Sequence, residues 1–237
     1  MGGRRAAQRI LRPLLAPSLY DLCQRSSIHS VSASEVGSRI LAESGRTWGA
    51  SDIEFDTDFS YFSTAQYAAM AYPAWGIEKE HARLMYGLIR ALRPERMVET
   101  GVANGLSTAL ILRAMDRNAI GRLTSVDIKG DVGELVPREL RGRWSLCLVG
   151  HGAQRQPLGA IVPPNETLDF FMHDSLHTYK HQLDEYRLAW PALRRGGFLL
   201  SDDVDASFAF VDFLGEVGLS GFTLVGSTKV FGGVQKL

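Results

Sequence analysis

The stretch MVETGVANGLS, residues 97–107, contains the features that decide the fold. Its apolar start predicts a buried strand, and Gly101 and Gly105 predict a tight turn that opens a helix. In open α/β sheets, ligands bind at the carboxyl ends of the strands, where glycines let the backbone approach a ligand closely. The stretch therefore predicts a nucleotide-binding α/β fold with its ligand site at this turn.

The spacing of this turn indicates which nucleotide binds. A dinucleotide site has the pattern G-x-G-x-x-G, whereas Glu99, Gly101 and Gly105 form E-x-G-x-x-x-G. An acidic group at the strand end repels pyrophosphate and suits a cationic ligand. The segment resembles the nucleotide-binding motif of class I S-adenosylmethionine (SAM) methyltransferases, and this resemblance implies SAM as the cofactor. An ordinary strand-to-helix turn is the alternative interpretation.

Further cofactor contacts are expected at the ends of the neighbouring strands. Asp127 ends the second predicted strand, where a carboxylate reaches ribose hydroxyls, although NAD enzymes share this feature. A Gly-His-Gly loop after the third strand would flank adenine. The complete predicted set of cofactor contacts is Glu99, Thr100, Gly101, Ala103, Gly105, Ser107, Asp127, Gly150, His151 and His173.

The rest of the chain alternates between predicted strands and helices. Strands are expected at 96–100, 122–127, 144–149, 168–173, 198–201, 222–226 and 229–235, and helices at 35–44, 78–92, 105–116, 134–141, 177–190 and 208–217. Gly196 and Gly197 are expected to end any continuation of the helix before 198. The last two strands are joined by a turn too short for a parallel crossover, so they should be antiparallel. The prediction is an α/β fold with a doubly wound, mostly parallel seven-stranded sheet and one antiparallel strand near the C-terminus.

Composition excludes some functional classes. The chain has 237 residues with 26 Lys+Arg and 26 Asp+Glu, and this zero net charge is not typical of a nucleic-acid-binding protein. No apolar run is long enough to span a bilayer, and the two distant cysteines favour a cytoplasmic protein. Four arginines lie within residues 4–12, and a transit peptide or a membrane-surface helix is the alternative to the basic, loosely ordered N-terminus that we prefer.

Two regions are expected: an accessory region, 1–75, and a SAM-binding domain, 76–237. The accessory region contains a serine-rich linker or loop at 26–34 and an aromatic cluster at 59–75. The cluster could form a lid or a wall of the acceptor pocket, or simply pack this segment onto the domain. It is also a candidate homodimer interface. Its members are Phe59, Tyr61, Phe62, Tyr67, Tyr72 and Trp75.

Three aspartates are predicted to meet at one edge of the sheet. Asp174 follows the fourth predicted strand, and Asp202 and Asp203 end the adjacent fifth strand. Crowded carboxylates repel one another unless a cation neutralises them or they are protonated, and oxygen ligands suit Mg²⁺, Mn²⁺ or Ca²⁺. Helix capping by the aspartates is the alternative interpretation.

From residue 78 to about 213, the chain resembles metal-assisted small-molecule O-methyltransferases, including rhamnosyl O-methyltransferases and cephalosporin-hydroxylase-like relatives. Those proteins carry an Asp-x-x-His-(Ser/Thr)-Tyr motif, a Gly-Gly pair and paired acidic residues. The matching residues here are Asp174, His177, Thr178, Tyr179, Gly196, Gly197, Asp202 and Asp203. The resemblance implies a metal at the three aspartates. Leu176 and His173 depart from the pattern, at positions that are usually acidic and apolar.

The predicted function is metal-assisted, SAM-dependent methylation of a hydroxylated small molecule, such as a sugar, a polyketide-like or a catechol-like compound. His177 and Asp174 are the predicted catalytic residues, with His177 either the base or a partner of a metal ligand. His181 and His151 are weaker candidates for the base. An NAD-dependent oxidoreductase and a non-catalytic nucleoside-binding scaffold are the alternatives, although no Tyr-x-x-x-Lys relay is present.

Overall fold

The computed structural model describes residues 15–42, 45–48, 52–64, 76–150, 155–163 and 165–237. The predictions for the basic N-terminus, for His151 and for Tyr67, Tyr72 and Trp75 lie outside these residues. Among the described residues, no helix has the length and apolar character needed to cross a membrane.

Within the described residues, one mixed sheet of eight strands organises the fold, in the order β1-β7-β8-β6-β5-β2-β3-β4. The strands are β1 (Ser26–Ser30), β2 (Arg96–Thr100), β3 (Arg122–Asp127), β4 (Trp144–Leu148), β5 (Leu168–His173), β6 (Leu193–Ser201), β7 (Gly221–Val225) and β8 (Val230–Gln235). Strand β8 is antiparallel to its neighbours β6 and β7, and every other pairing is parallel. The predicted mostly parallel sheet with an antiparallel strand near the C-terminus is confirmed, with one strand more than expected.

Helices cover the sheet on both faces. They are α1 (Leu19–Cys23), α2 (Ala33–Ala42), α3 (Asp52–Ser63), α4 (Lys79–Leu92), α5 (Leu106–Arg117), α6 (Leu158–Ile161), α7 (Tyr179–Ala192) and α8 (Ala209–Val217), with a 3₁₀ helix at Arg138–Arg143. Neighbouring strand residues Met97 and Val98 belong to different apolar clusters, because successive strand side chains point to opposite faces. Residues of α2, α4 and α5 belong to the first cluster, and residues of α7 and α8 to the second.

The region before residue 76 contributes directly to this core. The serine-rich stretch predicted as a linker forms β1 instead, because β7 offers it a parallel pairing edge and Ile28 is buried. In α3, Phe55 and Phe62 are buried in the first apolar cluster, and Phe59 packs against it. Packing onto the domain is therefore the role of Phe59 and Phe62, and neither lines the cavity described below.

Two local predictions were wrong. The helix expected at 134–141 is a 3₁₀ helix that starts only at Arg138, because Pro137 lacks an amide hydrogen and stands at its N-terminal boundary. Gly196 and Gly197 do not follow a helix; they lie within β6, which starts at Leu193. A Cβ on Gly197 would lie 2.8 Å from the carbonyl oxygen of Asp169, so this glycine permits close strand pairing.

Candidate active site

A cavity of about 300 Å³ opens at the carboxyl ends of β2, β5 and β6. Glycine-turn residues line one side, and titratable side chains line the other. The lining residues are Gly76, Ile77, Gly101, Val102, Ala103, Asn104, Gly105, Leu106, Ser107, Asp174, Ser175, His177, Asp203 and Lys229. The structure thus brings the predicted cofactor turn and two of the three predicted metal-binding aspartates to one cavity.

The turn after β2 is held in an unusual backbone conformation. Gly101, Ala103 and Gly105 have φ values of 85°, 46° and 87°, which is the left-handed region that favours glycine. A Cβ on Gly101 would lie 1.9 Å from the carbonyl oxygen of Asp174. The approach of two strand ends to each other therefore requires this glycine, in addition to any approach of a ligand.

Glu99, a predicted cofactor contact, is not among the residues that line the cavity. Its carboxylate is buried and accepts hydrogen bonds from Ser107, Thr108 and Ser125 Oγ atoms, each 2.7 Å long. Burial raises the pKa of Glu99, and the three hydroxyl donors only partly oppose this effect. Glu99 of β2 is therefore linked by hydrogen bonds to the start of α5 and to β3.

Asp127 has hydrogen-bonding capacity left for a ligand. Its Oδ2 accepts the Val102 amide at 2.9 Å and its Oδ1 accepts the Lys129 amide at 2.9 Å. A carboxylate has about four acceptor positions, so this half-exposed group fits the hydroxyls of a nucleoside. Neither Asp127 nor Gly150, which follows β4, is among the residues that line the cavity.

His177 and Asp203 form a dyad at the wall of the cavity. The His177 Nδ1 atom lies 3.0 Å from Asp203 Oδ2, and Nε2 lies 3.7 Å from Asp174 Oδ1. Within the part of the chain that the structure describes, Nε2 is buried and has no hydrogen-bond partner. An Nδ1–H donated to Asp203 leaves Nε2 as the acceptor atom of the ring, as a general base requires.

The pKa values of the two aspartates beside His177 are shifted in opposite directions. Burial, and then the charge of Asp202, raises the pKa of Asp174 well above its ordinary value. Burial would also raise the pKa of Asp203, but the His177 hydrogen bond and the Lys229 charge outweigh it and lower that pKa. Asp203 is therefore the ionised partner that orients His177.

Lys229 stands among the predicted metal ligands. Its ammonium group contacts Asp202 Oδ2 and lies 3.6 Å from Asp203 Oδ2, while Asp202 Oδ1 lies 3.5 Å from His81 Nδ1. With Lys229 paired to two of the aspartates, no group of three or more His, Cys, Asp or Glu side chains among the described residues has a metal-binding arrangement. The donor set does not fit a divalent ion, because a cationic side chain already neutralises it.

His173, also predicted to contact the cofactor, lies beneath the cavity instead. It is buried, and its Nδ1 atom is 2.6 Å from Glu185 Oε2, which also accepts the Thr100 hydroxyl at 2.6 Å. His181 Nε2 and Ser175 Oγ reach Glu185 Oε1 at 2.9 Å and 3.1 Å. Burial opposes ionisation of Glu185, but the histidine hydrogen bonds prevail and lower its pKa to about 2. This network supports the end of β5.

The sequence analysis missed Lys229, although a signal for it was present. The predicted last strand is antiparallel, so its first residues lie at the edge where the parallel strands end. Lys229, the first residue of the predicted strand 229–235, is therefore at the cavity. Nothing in the sequence pattern indicates that His81 of α4 lies beneath the same cluster.

Residues 98–204 match a family model described as a methyltransferase domain. The fold is similar to that of the O-methyltransferase TomG from Streptomyces achromogenes, involved in tomaymycin synthesis and solved with SAM (17% identity, 80% of this chain, 97% of that chain, TM-score 0.53). It is also similar to an O-methyltransferase from Bacillus cereus solved with S-adenosylhomocysteine, SAH (16% identity, 80% of this chain, 98% of that chain, TM-score 0.55). A third similar structure is a methyltransferase from Geobacter sulfurreducens (18% identity, 84% of this chain, 96% of that chain, TM-score 0.51). No curated protein matches the chain.

Proposed function

We propose that this chain, whose residues 98–204 match a methyltransferase-domain model, is a SAM-dependent methyltransferase of the class I type that methylates a hydroxyl oxygen of a small molecule. One observation carries the proposal: the glycine turn and the His177–Asp203 dyad line the same cavity. A methyl donor and an acceptor held there would be close enough to react, and positioning is the main requirement for such a displacement.

The turn side of the cavity is suited to hold SAM. Val102, Ala103 and Asn104 line the cavity where helix α5 begins, and the start of a helix favours a carboxylate ligand. Asp127 would accept hydrogen bonds from the ribose hydroxyls. SAM would supply a methyl group made electrophilic by its sulfonium sulfur.

On the other side, His177 would act on the acceptor. Its Nε2 atom would take the proton of the acceptor hydroxyl as that oxygen bonds to the methyl carbon. Asp203 would stabilise the resulting imidazolium through its contact with Nδ1, which is 3.0 Å long. The methyl–sulfur bond would break in the same displacement, so SAH would be the product and the proton would remain on His177.

The acceptor class that we propose is a small hydroxylated molecule. A sugar hydroxyl, a phenol or a catechol each provides an oxygen that a histidine can activate. Metal assistance, which the resemblance implies, receives no support from the contacts of Asp202 and Asp203, since Lys229 pairs with both.

The test combines binding with methyl transfer. Calorimetry with SAH, and with NAD⁺ as the control ligand, identifies the cofactor, and transfer of a labelled methyl group from SAM to catechols, phenols and methyl glycosides identifies the acceptor. We expect SAH to bind and NAD⁺ not to bind. His177→Asn should lower kcat by about 100-fold or more while the Kd for SAH is unchanged.

His29→Asn is the matched control, because His29 lies on β1 and pairs with Thr223 of β7, away from the cavity. Binding of NAD⁺ in place of SAH would support the oxidoreductase alternative. If neither ligand binds, the chain is a scaffold or uses another nucleotide. Unchanged kcat in His177→Asn would remove the proposed base.

A further inference from the structure

Asp174, Asp202 and Asp203 form an acidic cluster at the cavity, and Lys229 pairs with two of its members, Asp202 and Asp203. Its side chain is 16% exposed, lines the cavity, contacts Asp202 Oδ2 and lies 3.6 Å from Asp203 Oδ2. We propose that Lys229 is the resident cation of this active site: it excludes a divalent ion from Asp202 and Asp203 and stabilises negative charge on the acceptor oxygen. The second half of this proposal rests on the proposed function, whereas the first half does not.

The backbone on both sides of Lys229 is fixed by carboxylates. Glu78 accepts the amides of Ser227 and Thr228 at 2.6 Å and 2.8 Å, and the Thr228 hydroxyl at 2.6 Å. Asp205 Oδ1 accepts the amide of Val230 at 2.9 Å. The residues before and after Lys229 are therefore held by two different parts of the chain, so the ammonium group is delivered to one place.

Close packing leaves this turn little freedom to move. A Cβ on Gly226 would lie 2.2 Å from Glu78 Oε2 and 2.6 Å from His81 Nε2. The turn is thus in contact with the start of α4, which also provides the His81 ring beside Asp202. Such preorganisation is what a charged catalytic group requires, because no reorganisation is then needed during the reaction.

Asp202 requires a cation at this position. Its side chain is completely buried, and a buried carboxylate without a partner is costly. Lys229 supplies the opposite charge directly. A divalent ion bound to the same oxygen would have to displace the ammonium group or to approach it closely, and the two positive charges repel each other.

The position of Lys229 also suits the methyl-transfer step. The acceptor proton passes to His177 Nε2, the oxygen–methyl bond forms, and the methyl–sulfur bond breaks with its electron pair remaining on sulfur. As the proton leaves, negative charge develops on the acceptor oxygen. An ammonium group lining the same cavity stabilises that charge, which is the contribution a metal ion makes in metal-assisted enzymes.

Direct metal binding tests the first half. Mn²⁺ alone is titrated into the full chain with SAH present, and electron paramagnetic resonance measures the free ion. We expect wild type and Lys229→Arg to leave Mn²⁺ free. Lys229→Met should bind one Mn²⁺, and the second change Asp202→Asn should abolish this acquired site.

Lys236→Met is the matched control. Lys236 is also 16% exposed, but its ammonium group contacts the carbonyl oxygens of Trp190 and Leu193, and it does not line the cavity. This variant should leave Mn²⁺ free. Saturable Mn²⁺ binding by wild type that Asp202→Asn removes would overturn the proposal. Folded Lys229→Met protein that leaves Mn²⁺ free would also overturn it.

Activity tests the second half with the acceptor found above. Wild-type transfer should be unchanged by EDTA, and Lys229→Met should lower kcat by about 100-fold or more, as loss of a charge-stabilising donor does. Lys229→Arg should restore part of that loss. Loss of activity in EDTA would overturn the proposal even if Lys229→Met does not fold. Failure to bind SAH would remove the proposed function, but the Mn²⁺ result would still test Lys229.

Discussion

Backbone atoms form one side of the cavity, and charged or titratable side chains form the other. The turn side, residues 101–107, is formed by backbone in a conformation that glycine permits, within one continuous stretch of chain. The other side is formed by Asp174, His177, Asp203 and Lys229, which come from the ends of β5 and β6 and the start of β8. The turn side should therefore be sensitive to added atoms, and the side-chain side to changes of charge.

Gly101→Ala should have the largest effect on stability and on SAH binding, because it disrupts the backbone conformation of the turn side. The new Cβ would lie 1.9 Å from the Asp174 carbonyl oxygen, and alanine is strained at a φ of 85°. Strain and overpacking together should lower the free energy of unfolding by about 2–5 kcal/mol. SAH binding should be lost. Urea unfolding and calorimetry measure the two effects.

Gly142→Ala is the control for this prediction. No heavy atom lies within 4 Å of a Cβ at Gly142, and its φ is not positive. Its stability should change by less than about 1 kcal/mol. If both alanine variants behave alike, close packing at Gly101 has no energetic importance.

Glu99→Gln should separate stability from ligand binding on the turn side. The amide offers one acceptor oxygen where the carboxylate uses two, so buried hydroxyls of Ser107, Thr108 or Ser125 lose a partner. The free energy of unfolding should fall by about 3 kcal/mol. The Kd for SAH should change less than about threefold, since Glu99 does not line the cavity. A stable variant that fails to bind SAH would restore Glu99 as a cofactor contact.

Glu185→Gln tests the support beneath the side-chain side through pH. The pKa of Glu185 is lowered from 4.5 to about 2 in the folded protein. A lowered pKa stabilises the folded state above pH 4.5, and this contribution is lost as the pH falls towards 2. The free energy of unfolding of the variant should be about 2 kcal/mol lower than that of wild type at neutral pH. This difference in the free energy of unfolding should become smaller as the pH falls from 4.5 towards 2.

Asp184→Asn is the neighbouring control on α7. Asp184 forms an exposed ion pair with Lys180, so the change should cost less than about 0.5 kcal/mol. Urea unfolding at a series of pH values makes the comparison. A constant difference between Glu185→Gln and wild type through the acid range would exclude the lowered pKa.

The smallest effects should distinguish the two sides most directly. Ile128, 63% exposed, follows Asp127, whereas Leu176, 59% exposed, precedes His177. Ile128→Ser should raise the Kd for SAH about three- to tenfold, and Leu176→Ser should raise the acceptor KM by a similar factor. Neither change should alter the free energy of unfolding by more than about 0.5 kcal/mol. Equal effects of both variants on both constants would contradict a division of the cavity into two sides.

The predictions that succeeded depended on local pattern. Strands β2 and β3 have the predicted bounds, and the glycine turn lies where expected, because short apolar runs and turn glycines are encoded within a few residues. The predictions that failed concerned β1 and the interior of β6. Ser26–Ser30 is a strand only because β7 lies beside it, and no local pattern contains that partner.

The sequence by itself determined the succession of strands from β2 to β8, the antiparallel last strand and the meeting of Asp174 with Asp203 at one edge of the sheet. Those features follow from backbone periodicity and from connection length. Only the tertiary structure decided that hydroxyls surround Glu99 and that Lys229 enters the acidic cluster. The physical reason is that the protonation and pairing of a buried carboxylate depend on its neighbours in space, which come from distant parts of the chain.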